Sequence, residues 1–314
     1  MKLIDVIDAY LARQRSLGMR FESAGRLLHR FGRAVGDRLI REVTPESVLD
    51  FLNGDKGPTA TWALKHSVLS GLFRFEISRG YVDRSPLPTV LPHLPPPQTP
   101  YVYSTEEVRR LLEATSTLRT GYSQHVPAMY RTMILLLYGT GMRIGEALRL
   151  TLQDVDLVEE VITIHCTKFF KTRLVPIGPK LSGELAAHLD RRGLLPMPQG
   201  RAAPLFASRG IRGWTYQSVV TMLQHVRRAA GIERPIGEPR PPRIHDLRHT
   251  AAVHRVVAWY HSGQDVQRLL PQLATFLGHI DIRSTQRYLQ MTPELLEAAS
   301  QRFAQYAMEG SHEE

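Results

Sequence analysis

The residues able to do chemistry fall in four short segments: TGMRIGEALRL (140–150), CTKFFKTRLVPIG (166–178), HDLRHT (245–250) and LGHIDIRSTQRYL (277–289). Together they hold arginines, lysines, histidines and a tyrosine, the side chains that surround a phosphate rather than a metal or a nucleotide cofactor. Gly139, Gly141 and Gly145 miss the Gly-x-Gly-x-x-Gly spacing by one residue and follow no strand, which argues against a dinucleotide loop. His245 and His249 stand four apart, a zinc-like spacing. The glutamate of a His-Glu-x-x-His site is missing and no third ligand is placed. Asp154, Asp156, Glu159 and Glu160 could suggest magnesium, but their bunching before a strand reads more simply as a turn.

Composition points the same way. The 314 residues carry 40 Lys+Arg against 30 Asp+Glu, a net charge of +10, and the sequence pI is near 9.9. A polyanionic partner follows, nucleic acid before an anionic membrane surface. The single Cys166 excludes a disulfide framework, a Cys-rich zinc site and an iron–sulfur cluster, and fits a reducing cytoplasm. The longest apolar run, MILLLY at 133–138, is far too short to span a bilayer. No Gly-x4-Gly-Lys-Ser/Thr string is present, so P-loop hydrolysis of ATP or GTP is not indicated.

These residues must be positioned by two domains. SPLPTVLPHLPPPQTP (85–100) holds seven prolines in sixteen residues and reads as a semi-rigid connector. Residues 1–84 form a helical domain with segments near 2–17, 21–35, 45–53 and 59–79. In the last of these, Trp62, Leu69, Leu72, Phe73 and Ile77 make an apolar stripe decorated by Lys65, Arg74 and Arg79. Residues 101–314 form a second, mainly helical domain with one small antiparallel sheet. Ser104 or Thr105 caps its first helix, and a second helix covers 127–138. A hairpin pairs 161–168 with 172–177, and helices follow near 179–192, 215–230, 245–261, 265–276, 281–289 and 293–307. Both sides of the connector are basic, as two domains gripping one polyanion require. Lys65, Arg74, Arg79, Lys171 and Arg173 are therefore candidate DNA contacts.

In this order and context the four segments resemble the tyrosine recombinase (phage integrase) family over roughly 100–308. Arg143 in TGMRIGEAL matches that family's first catalytic arginine, with Glu146 as the acidic residue three places on. TKFFKTRLVPIG matches the Lys-x-x-Lys-x-Arg-x-x-Pro hairpin, with Lys168 as its catalytic lysine and Lys171 as the nearby rival. His245 and Arg248 match the His-x-x-Arg pair, His279 the Leu-Gly-His histidine, and Tyr288, nine residues later, the nucleophile. The resemblance implies a helical core-binding (SAM-like) N-terminal domain and a catalytic C-terminal one. The sequence departs from the pattern in one place. Arg248 and His279 are 31 residues apart, and the excess VVAWYHSGQDVQRLLPQLATF reads as an extended helix and loop.

The chemistry of the residues agrees. Attack on an anionic phosphodiester needs directed positive donors, and arginine's planar fork bonds two phosphate oxygens at any working pH. A tyrosine has a pKa of about 10, so only about a thousandth is phenolate at neutral pH, and cations plus a base must close that gap. The resemblance implies His245 as base, His279 as donor to the phosphate and Lys168 as acid for the departing 5′-oxygen. Sequence alone does not divide these roles.

The resemblance further implies a covalent 3′-phosphotyrosyl intermediate, no cofactor, double-stranded DNA with paired or inverted-repeat sites as partner, and a tetramer exchanging strands through a four-way junction. Sister recombinases as further partners, a mobile element as the gene's setting, no membrane, and a bacterial, nucleoid-associated cytoplasmic location complete the expectation. Leu296, Ala299, Phe303 and Tyr306 line one side of the last helix, which packs either on its own domain or on a neighbouring protomer. Two other activities remain open: a single-protomer nicking and closing enzyme of topoisomerase type, and a non-reacting DNA-binding accessory protein.

Overall fold

The computed structural model describes residues 1–19, 21–54, 57–94, 100–118, 125–165, 172–207, 213–233, 237, 240–279, 283–286, 297 and 300. The chain divides into two compact units, Met1–Gln98 and Thr99–Glu314, so the division falls inside the proline-rich stretch. Secondary structure is mostly helical, with one three-stranded antiparallel sheet.

In the first unit, helices α1 (Leu3–Ser16), α2 (Glu22–Val35), α3 (Pro45–Asn53) and α4 (Ala60–Ser78) pack around Val6, Ile7, Leu28, Phe31, Leu69 and Leu72, all fully buried. Thr44 caps α3 by accepting from the Ser47 N–H at 3.3 Å, with Pro45 in the first turn. The expected stripe on α4 holds for Trp62, Leu69, Leu72 and Phe73 but not for Ile77, which is 40% exposed. The buried face turns instead through Phe75 and Glu76. Glu76 is thereby enclosed without a hydrogen-bond partner among the described residues, and burial pushes its carboxyl up to about 8. The proline-rich stretch is not wholly a free connector. Leu87 and Leu94 pack against the first unit's core, since proline fixes the backbone without preventing the leucines between from burying apolar surface.

The second unit opens with α5 (Thr105–Ala114). Its cap is Ser104, in a reciprocal box with Glu107 at 3.1 and 2.8 Å. Helix α6 (His125–Thr140) is apolar on most sides because it runs through the core: Tyr130, Met133, Ile134 and Leu136 are all fully buried. A short α7 (Ile144–Ala147) follows. The sheet orders β1 (Val155–Asp156), β2 (Val161–Ile164) and β3 (Arg173–Pro176) side by side, with Ile162 opposite Val175 and Ile164 opposite Arg173. Strand β1 adds to the expected hairpin; at two residues it has no alternation to read. Asp156 sits at its end and accepts from the Val158 and Glu159 N–H groups at 3.0 Å each, so its carboxylate belongs to a turn.

Helices α8 (Pro179–Gly193) and α9 (Tyr216–Ala229) complete the shell. The 31-residue interval after Arg248 consists of α10 (Asp246–His261), a tight turn, and α11 (Val266–Leu277), which Asp265 caps through the Arg268 N–H. These two helices share a small core of their own, built from Val253, Val256, Leu270, Leu273 and Leu277. A four-residue α12 (Arg283–Gln286) comes next. The expected helix at 293–307 lies outside the described residues, apart from 297 and 300.

Candidate active site

Helix α6 ends where Gly141 takes a positive φ of 59°, a conformation open to glycine that turns the chain sharply into Arg143. Arg143 then starts α7. Its backbone N–H donates to Glu146 Oε2 at 2.9 Å and its Nη1 to Oε1 at 3.0 Å, while Nη2 reaches the Gly278 carbonyl at 3.5 Å. Glu146 is 4% exposed, and an ion so enclosed needs every lone pair occupied. The remaining donors come from Arg173 on β3, whose Nη1 and Nη2 meet the two carboxylate oxygens at 3.2 and 2.8 Å. Burial would raise the Glu146 carboxyl. The bonds from Arg173 and from the Arg143 backbone, with both guanidinium charges, outweigh it and hold the group down at about 2.

The second arginine is deeper. Arg248, on the first turn of α10, donates from Nη1 to the Gly141 carbonyl at 2.6 Å and from Nη2 to the Leu277 carbonyl at 2.7 Å. Both arginines thus converge on the Leu277–Gly278 backbone that leads into His279. That histidine follows a helix stop in which Gly278 is left-handed (φ 70°) and the His279 N–H returns to the Ala274 carbonyl at 2.8 Å. His279 Nδ1 lies 2.7 Å from the hydroxyl of Thr285, a fully buried residue of α12, which fixes the ring.

His245 immediately precedes α10 and packs edge to face against His249, with ring centroids 4.9 Å apart. Desolvation by its neighbours, then the Arg248 charge, lowers the proton affinity of His245. Burial followed by neighbouring positive groups brings His249 to about 3 and His279 to about 4. The histidines are therefore neutral near pH 7, able to accept a proton or to donate a hydrogen bond. Among the described residues no three His, Cys, Asp or Glu side chains are grouped to hold a metal ion. Asp154 binds the Thr151 N–H and hydroxyl at 2.7 and 2.8 Å and pairs with His165 at 3.1 Å.

Of the six expected catalytic residues, Arg143, His245, Arg248 and His279 fall in one region of the second unit; Lys168 and Tyr288 lie outside the described residues, as does Lys171. Two expected DNA contacts need correction. Arg173 is an internal holder of Glu146, its side chain only 10% exposed, and its Nε donates to the Phe276 carbonyl at 3.2 Å. Period-two alternation carries the signal, since residue 173 shares the inward face of β3 with buried Val175. Lys65 is likewise buried, its ammonium donating to the Phe51 and Leu52 carbonyls at the end of α3. Arg74 on α4 and Arg79 just past its end are both exposed. Thr285 escapes sequence reading because one hydroxyl six residues beyond a histidine leaves no pattern.

Known proteins resemble this chain in sequence and fold. Residues 102–294 match the profile of the phage integrase family. A Sinorhizobium fredii protein, y4rB, classed as an integrase/recombinase, is 31% identical over 299 residues, covering 94% of this chain and 95% of its own. Tyrosine recombinase XerD of Mycobacterium leprae is 30% identical over 310 residues, covering 91% and 92%. Among solved structures, the Tn1549 transposon integrase in complex with transposon right end DNA superposes with a TM-score of 0.68 at 18% identity, covering 96% of this chain and 99% of that one. A lambda integrase dimer bound to a COC′ core site gives 0.67 at 19% identity, covering 92% and 95%. The chain belongs to the phage integrase family, the tyrosine recombinases.

Proposed function

We propose that this protein is a site-specific recombinase that cuts and rejoins DNA through a covalent bond to Tyr288. The observation that carries the reading is the convergence of Arg143 and Arg248 on the carbonyls of Gly278 and Leu277, beside His279. In this reading the two guanidiniums and the imidazole gathered at one backbone segment stabilise a pentacoordinate phosphate more as its charge develops.

In the proposed step the Tyr288 oxygen attacks phosphorus, the phenolic proton passes to neutral His245, and the bond to the 5′-oxygen breaks as Lys168 protonates it. The 3′-phosphotyrosyl ester conserves the bond energy, so a 5′-hydroxyl from another strand reverses the step without metal or ATP. Four protomers on two DNA sites, exchanging strands through a four-way junction, accomplish recombination. Double-stranded DNA with paired or inverted-repeat ends is the substrate, further copies or sister recombinases are the partners, and the bacterial nucleoid is the place of action. Among the described residues no helix is long and apolar enough to cross a membrane. A groove of about 510 Å³, lined by Tyr138, Ala251, His254, Trp259, Leu273 and Phe276, offers a seat for the apolar stripe of residues 293–307 from a neighbouring copy.

Nicked suicide substrates carrying the inverted repeats that flank the gene test the reading. Wild-type protein should be trapped as a covalent adduct, and Tyr288→Phe should bind the same DNA without one; a wild type that forms no adduct removes the proposal. Joined products between two sites separate recombination from nicking and closing by a single protomer, which would only relax a plasmid.

A further inference from the structure

The start of α10 repeats a device already met at Arg143. Arg243, two residues before His245, donates its backbone N–H to Asp246 Oδ2 at 2.7 Å and its Nη2 to Asp246 Oδ1 at 3.1 Å. Asp246 is 3% exposed at its side chain while the Arg243 side chain is 44% exposed. At Arg143 the corresponding carboxylate, also three residues on, is 3% exposed and the arginine 38%. In both turns a buried acid holds an arginine by its own N–H and by its guanidinium; at Arg143 the remaining Nη2 reaches the Gly278 carbonyl, while Arg243 has no such contact among the described residues.

Helix capping alone does not account for this. An aspartate can satisfy the backbone N–H without a guanidinium, and a half-exposed ion pair adds little to stability. Holding the guanidinium does something else. It removes the rotamer freedom that an arginine must otherwise lose on binding, and it fixes a planar fork suited to two phosphate oxygens. Among the described residues Nη1 of Arg243 has no partner, so that edge stays available. The charge also reaches the site: Arg243 is one of the groups that depress the proton affinity of His245 and His249. Unlike Arg143 and Arg248, Arg243 makes no bond to the 276–279 backbone among the described residues, so it is not tied to the segment on which those two converge.

We propose that Arg243 is a DNA-contact residue that binds the backbone phosphate next to the scissile one. It aligns the strand for attack and takes no proton. The assignment rests on the reading of this unit as a DNA-cleaving one, and the test separates the two. The Tyr288 adduct first maps the scissile phosphate on the suicide duplex. Duplexes with one neutral methylphosphonate at each of the five phosphates around that point are then bound to wild type, Arg243→Gln and Arg243→Lys.

Arg243→Gln should bind unmodified DNA on the order of 10-fold more weakly, with the slope of log K against log salt reduced by about 0.9, one phosphate's share, and with an unchanged melting temperature. Arg243→Lys should recover most of the slope. A methylphosphonate at one flanking position should weaken wild type and leave Arg243→Gln unaffected. Wild-type affinity and slope in Arg243→Gln, equal sensitivity of both proteins at every position, or coupling at the scissile phosphate alone would each overturn the assignment while leaving the cleavage reading intact. A wild type that forms no adduct would remove both.

Discussion

A Cβ on Gly278 would stand 2.6 Å from Nη1 of Arg173 and 2.9 Å from its Cζ. The arginine that grips Glu146 therefore fills the space a side chain would need at the turn into His279. Since φ at Gly278 is also 70°, alanine there meets both a steric and a conformational penalty. Gly278→Ala should destabilise the second unit by roughly 1–3 kcal/mol and lower adduct formation on the order of 100-fold, because the displaced arginine releases Glu146 and with it Arg143. Thermal melting with single-turnover cleavage measures both; a near wild-type cleavage rate would show that the Arg173–Gly278 contact does not position the site.

Glu146 makes the same network sensitive to acid. Its folded value of about 2 lies below the ordinary 4.5, so it binds fewer protons in the folded state than in the unfolded one. The stabilisation is complete above pH 4.5 and disappears as pH falls toward 2. At about 1.36 kcal/mol for each tenfold change in proton affinity, it is on the order of 3 kcal/mol. Glu146→Gln should flatten that limb of the stability curve, followed by urea unfolding between about pH 2 and 6. Its cleavage at pH 7 should also fall, since the glutamine carries no charge to hold two guanidiniums.

Thr285 acts on His279 through one hydrogen bond. Thr285→Val keeps the shape and removes the hydroxyl, so the ring loses this hydrogen bond. Cleavage should slow on the order of 10-fold to 100-fold with DNA affinity little changed, and Thr285→Ser should restore it. An equal loss in both variants would assign the effect to packing instead.

In the first unit, Glu76 has the opposite pH response. Its carboxyl is raised to about 8, so the protonated form is the stable one: stability is full below pH 4.5 and declines as pH rises through 8. Glu76→Gln should remove that decline, and Glu76→Met should raise the melting temperature at pH 8. Calorimetry of the full chain from about pH 5 to 9 reads both. A wild-type melting temperature independent of pH over this range would contradict the buried, unpartnered placement.

The sequence carries the arginines and histidines of the site because each stands in a short pattern tied to local structure: a glycine turn before Arg143, a helix start at His245, a glycine stop before His279. It places α10 and α11 to within a residue at their starts, although the interval after Arg248 reads as an extended helix and loop where the structure has two helices joined by a tight turn. What it hides depends on distant partners. Arg173 looks like one more cation in a basic hairpin until strand alternation and a carboxylate 27 residues earlier are considered together. Lys65 looks solvated because nothing local reveals that the end of α3 lies above it. Glu76 takes the buried face in place of Ile77 where α4 packs against α1, α2 and α3 together, partners that its own composition does not reveal.

The core shared by α10 and α11 is distinct from the main core of the second unit, and several residues join the two. Phe276 is one of them: its side chain packs against both cores, and its carbonyl receives Arg173. Such an arrangement lets the smaller core open as its own cooperative unit below the free energy of global unfolding. Amide exchange in 266–277 should then report on the catalytic geometry. A cavity made at Leu270 would weaken cleavage before it lowered the main melting transition. Retention of the Leu277–His279 geometry on heating should then depend on the α10–α11 core as well as on the main one.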